Sequence, residues 1–119
     1  MPEKLTDFRQ LNVWQKAHKL VLDIYEISKK LPKEEKTELS SQMRKTAMSI
    51  PIKIAEGFNR RNPKEKEIFY KATQESIEEL RYYLILSKDL EYLKNTDDIL
   101  QSVEEVGRML SGLVRSVKA

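Results

Sequence analysis

Four cations crowd one short stretch of the chain: Arg60, Arg61, Lys64 and Lys66. Between them sits Asn62-Pro63, a helix-start signal, so these side chains surround the first turn of a helix. Guanidinium and ammonium groups beside the unpaired amides of a helix N-terminus suit phosphate oxygens, which points to a nucleic-acid backbone. Lys45 and Lys53 extend this candidate set. A solvated charged turn is the plainer alternative.

The charge around them is uneven. Residues 44–71 hold eight basic residues against three acidic ones, whereas residues 75–105 hold nine acidic residues against three basic ones. Two neighbouring antiparallel helices of complementary charge give this pattern, and so does a basic patch for an acidic partner. The formal net charge of +3 is modest for a dedicated nucleic-acid module.

Other chemistry is poorly provided for. With one histidine and no cysteine, no metal or other cofactor is expected. Three scattered glycines, Gly57, Gly107 and Gly112, make no phosphate-cradling loop. Glu78-Glu79 and Glu104-Glu105 are adjacent on helices and diverge by about 100°, so neither pair converges on a substrate. The expectation is a protein that is not an enzyme. The polar N-terminus and the lack of a long apolar run or cysteine lead to an expectation of a cytoplasmic protein with no membrane segment.

The elements that position the cations follow from periodicity. One domain over 1–119 is expected, with 1–11 as a loose arm anchored by Leu5 and Phe8. Asn12 and Gln15 have capping-box spacing, and Val13, Trp14, Ala17, Leu20, Val21, Ile24 and Leu31 form one apolar stripe ended by Pro32. Trp14 is in register with that stripe and reads as core; His18 reads as solvated. A second helix carries Leu39, Met43, Thr46, Ala47, Ile50 and Ile54 on its main face. Pro51 within it predicts a bend.

Met48 and Ile52 lie on the opposite side of this second helix. Either a bend at Pro51 turns Ile52 inward, or the helix is buried from two sides, by its own bundle and by another subunit; the second reading is preferred. Gly57 offers a stop. The third helix starts at Asn62-Pro63 and runs to about Leu93, with Phe69, Ala72, Thr73, Ser76, Leu80, Tyr83, Leu84, Ser87 and Leu90 on one face. Tyr82 and Ile85 point away and join Met48 and Ile52 as oligomer-interface candidates.

A fourth helix, capped by Asn95 or Thr96, carries Ile99, Leu100, Val103, Val106, Leu110, Leu113, Val114 and Val117. Gly107 and Gly112 within it signal close helix approach or fraying. The architecture expected is an all-α, up-down-up-down antiparallel four-helix bundle. In that hairpin Arg44 is expected to reach Glu75 or Glu79.

Several of these residues also carry a resemblance. Leu11, Val13, Trp14 and Ala17, then Gln42, Arg44 or Lys45, Ser49, Ile50, Pro51, Ile54, Ala55, Glu56, Gly57 and Arg60 or Arg61, then Ser76 and Glu79, follow a known order. Over about residues 8–115 the chain resembles the four-helix proteins encoded in intervening sequences of bacterial 23S ribosomal RNA genes. It is also similar to the accessory variability determinant of diversity-generating retroelements.

The resemblance implies an up-down bundle assembled as a homopentameric ring. In the retroelement branch it further implies a basic surface for RNA or DNA and a reverse transcriptase partner. Lys53 stands where asparagine is usual, and Glu75 replaces a glycine. Two readings result: a ring-forming nucleic-acid binder, or a structural and protein-interaction module whose assembly is its main property.

Overall fold

The computed structural model describes residues 4–118. Four helices account for most of them: α1 (Asn12–Ser28), α2 (Leu39–Phe58), α3 (Pro63–Asp89) and α4 (Asp97–Lys118). Short 3-10 turns, Phe8–Gln10 and Lys33–Glu35, precede α1 and α2. No strand occurs among the described residues.

The helices pack in cyclic order, each touching its two neighbours, into a bundle of 49 × 24 × 20 Å. Side-chain registers give their directions. Met43 meets Ser87, Ser49 meets Ser76 and Gly57 meets Tyr70, so α2 and α3 are antiparallel. Ser28 meets Ser40 and Tyr25 meets Met48 between α1 and α2. Gln74 reaches Ser111 between α3 and α4. Lys16 pairs with Glu105 between α1 and α4. The α1–α2 and α3–α4 connections therefore lie at one end of the bundle, where the Tyr92 hydroxyl donates to Glu35, and the α2–α3 turn lies at the other.

The apolar stripes read from the sequence are the core. Ala17, Leu20 and Ile24 of α1 meet Met43, Ala47, Ile50 and Ile54 of α2, Leu80 and Leu84 of α3, and Val103, Val106 and Leu110 of α4, all essentially without solvent contact. The face assigned to α3 needs correcting: Tyr70 and Ile77 are buried, and Leu90 is exposed. Leu90 leaves that face because α3 ends at Asp89, four residues before the expected Leu93. Glu91 adopts a left-handed conformation (φ 65°), and the amides of Tyr92 and Leu93 turn back to the Ser87 carbonyl. Leu93 re-enters the core from this reversal, and Leu90 is left outside.

Helix ends differ in detail from their signals. The Asn12/Gln15 box is not formed; α1 begins after Leu11, and the Gln15 amide donates to the Arg9 carbonyl instead. The capping box lies earlier, between Asp7 and Gln10. It orders part of the expected loose arm, and the Phe8 ring meets Trp14 edge-on with centroids 5.2 Å apart. Residues 1–3 of that arm lie outside the described residues. Asn62 caps α3 through the Lys64 amide (2.8 Å), and Asn95 accepts from Asp97 ahead of α4. Beside Asn95, Thr96 is fully buried, its hydroxyl without a partner among the described residues.

Helix α2 is unbroken through Pro51, whose ring is buried. Gly57 is not a stop. It lies inside α2 with no left-handed backbone, and a Cβ built on it would stand 2.6 Å from Tyr70 Cε1 and 3.1 Å from Phe69 Cβ. Its smallness is a matter of space: α2 and α3 approach there until only hydrogen fits. Gly107 and Gly112 show no such closeness, their nearest side-chain atoms both being at 3.8 Å, and α4 continues past both.

Gly57→Ala is accordingly expected to destabilise the fold by about 1–3 kcal/mol through overpacking against Tyr70. Urea unfolding followed by circular dichroism would show a lower midpoint; an unchanged midpoint would refute the close-approach account.

Candidate nucleic-acid interface

The bundle places the six cationic candidates in four different situations. Arg60, Arg61 and Lys64 are exposed around the α2–α3 turn. Arg60 lies over the Phe69 ring, 4.8 Å from its centroid, which limits its orientations. None of the three takes part in an ion pair among the described residues.

Lys66 has a different occupation. Its ammonium donates to the carbonyls of Phe58 (2.7 Å) and Gly57 (3.2 Å) and sits 5.5 Å from the Phe58 ring centroid. Partial burial holds its pKa below the ordinary lysine value. A cation on the last carbonyls of α2 also faces the negative end of that helix. Lys66 thus clasps the turn that presents Arg60 and Arg61.

Lys53 points along the α2–α3 seam. Its ammonium donates to Ser76 Oγ (3.1 Å), which lies 3.0 Å from Ser49 Oγ, and the Ser49 hydroxyl donates to the Thr46 carbonyl (2.6 Å). The lysine is therefore accommodated within the seam as a third member of a serine cluster. Lys45 is exposed at the far half of α2, beside Arg44 in a groove between α1 and α2.

Arg44 corrects the expectation of an interhelical ion pair with Glu75 or Glu79. Its Nε donates to Ser28 Oγ (2.8 Å), and its guanidinium lies 4.6 Å from the Tyr25 ring centroid, so it faces α1. The expected register was displaced, since Ser76 stands level with Ser49 and Lys53, more than a turn beyond Arg44. Glu79 accepts from the Tyr83 hydroxyl at 2.8 Å, which raises that tyrosine's pKa. Among the described residues no ion pair joins α2 to α3. The uneven charge is not consumed as complementary helix pairing.

The oligomer candidates also separate. Ile52, Tyr82 and Ile85 are 56%, 57% and 41% exposed. Ile52 is thus not turned inward at Pro51. Met48 is partly buried against the core, its sulfur accepting from the Tyr25 hydroxyl at 3.5 Å. Ile52 lines an apolar groove of about 340 Å³ with Phe8, Trp14, His18, Pro51, Ala55 and Glu56. Trp14 is half-buried there, not core, and His18 stacks on it at 5.2 Å with the rings 10° from parallel. Their four-residue spacing was the available signal for this stack.

Most of the chain matches one known family. The family model described as 23S rRNA-intervening sequence protein covers residues 9–112. The chain belongs to this family. Its description states no activity, so membership in the 23S rRNA-intervening sequence proteins fixes the kinship and leaves the ligand to be argued from side chains. No curated protein is significantly similar to this intervening-sequence protein.

Lys66→Met is expected to lower stability by about 1 kcal/mol, since two carbonyls lose their charged donor. Thermal unfolding would show it, and unchanged stability would mean that the clasp contributes nothing.

Proposed function

We propose that the protein is a non-enzymatic, cytoplasmic, ring-forming bundle that binds the phosphate backbone of RNA or DNA through the turn at Arg60, Arg61 and Lys64. The observation that supports this most directly is the absence of carboxylate partners for these three exposed cations among the described residues. Phosphate contacts of this kind position a nucleic acid without reading its sequence. Lys53 and Lys66 support the presenting turn and seam and are secondary contributors.

Arg60→Ala with Arg61→Ala should lower the log–log salt slope of binding by about two units for duplex, about 0.9 per lost contact. Electrophoretic shifts with structured RNA and duplex DNA across a salt series measure this. The absence of any shift at low salt would defeat the proposal.

The assembly part of the reading is supported by Ile52, Tyr82 and Ile85, three large apolar side chains left largely in solvent. A homo-oligomer, a pentamer by family resemblance, covers them. That surface equally serves the reading in which assembly is the main property, with no nucleic-acid role; a reverse transcriptase partner goes with the nucleic-acid reading, as the resemblance implies. Light scattering at micromolar concentration is expected to give a multiple of the protomer mass, reduced by Ile52→Asp. A wild-type monomer would overturn the assembly.

A further inference from the structure

A second cationic site lies at the other end of α2. Between the C-terminal half of α1 and the first turns of α2 is an open groove of about 460 Å³. Lys29, Lys33, Lys36, Arg44 and Lys45 line it, and no carboxylate does. Lys29 shares its charge with Glu26 at 3.1 Å; Lys33, Lys36, Arg44 and Lys45 have no ion-pair partner among the described residues. Four such cations around one concavity repel one another, and an anion placed between them relieves that repulsion.

Arg44 makes the groove more than a basic surface. Neutral groups hold it from two directions: Ser28 Oγ accepts from Nε at 2.8 Å, and the guanidinium carbon lies over the Tyr25 ring, 4.6 Å from its centroid. The two terminal amino groups have no acceptor among the described residues, and they form the fork that recognises paired phosphoryl oxygens. An arginine fixed by an ion pair would have spent this fork on its partner. Here it is oriented while its charge stays available. Ser41, in the first turn of α2, adds a hydroxyl to the lining.

We infer that this groove binds a phosphoryl group, held by the Arg44 fork and by Lys33, Lys36 and Lys45. Two sources present that chemistry: a small free polyphosphate, or a phosphate of a nucleic-acid chain. Arg44 in α2 and Arg60 just past its end are sixteen residues apart, about 24 Å at 1.5 Å per residue, so the groove does not share its ligand contacts with the α2–α3 turn. It stands whether or not that turn binds nucleic acid.

The test uses the full chain with inorganic pyrophosphate and, separately, a single-stranded oligonucleotide with unphosphorylated ends. Each is titrated calorimetrically into the wild type, Arg44→Gln, Lys36→Glu with Lys45→Glu, and Arg60→Ala with Arg61→Ala. Pyrophosphate binding that falls about tenfold or more in the first two variants and persists in the third identifies a free polyphosphate. Oligonucleotide binding that falls likewise in the first two, with no pyrophosphate binding, identifies the nucleic-acid source. Equal binding of both probes by the wild type and the lysine reversals, whose exposed side chains are dispensable for packing, overturns the inference. So does binding lost only in Arg60→Ala with Arg61→Ala, which instead supports the turn alone. If Arg44→Gln fails to fold, the lysine reversals decide.

Discussion

Contact between α2 and α3 at Gly57 constrains the rest of the molecule. The glycine lets Tyr70 and Phe69 lie directly on the α2 backbone, so the two helices converge towards their turn. Convergence brings Lys66 close enough to hold the carbonyls of Gly57 and Phe58, and those bonds set the turn from which Arg60 and Arg61 project. Further along the same seam, the approach allows Ser49, Ser76 and Lys53 to meet as one polar cluster. Shape at one residue thus governs both a packing register and the presentation of charge. Burial against this seam also pushes up the pKa of the Tyr70 phenol, keeping it neutral where it packs.

Much of this fold is legible in the sequence because its helices are strongly amphipathic. The stripes on α1, α2 and α4 need only the 3.6-residue period, and Asn62-Pro63 marks the α3 start by local chemistry alone. Helix α3 is harder. Its single stripe read from the sequence misses two residues of the inner face, Tyr70 and Ile77. Its end depends on Glu91 taking a backbone conformation usually given to glycine, which no residue-type rule announces.

The candidate site was legible as a set of residues and not as an arrangement. Charge counting finds Arg60, Arg61, Lys64 and Lys66 together, yet only three-dimensional placement separates the exposed trio from a lysine engaged with carbonyls. Arg44 shows why. It faces α1 and not α3, so Ser28 and Tyr25 stand where a carboxylate neighbour was expected, and the meaning of the charge changes with them. The groove beside Lys45 draws its residues from α1, a 3-10 turn and α2, so no local window of sequence contains it.

The elongation of the bundle bears on how its charge is felt. The rod is 49 Å long and little more than 20 Å thick, with one cationic group near the α2–α3 turn and another near the start of α2. Electrostatic influence decays over about 8 Å at physiological salt, far less than their spacing of about 24 Å along α2. Each end therefore interacts on its own, and the formal +3 describes neither. Towards an extended polyanion such a rod gains more by lying along it than by standing on one tip, so its long axis acquires a preferred direction from charges that never sense each other.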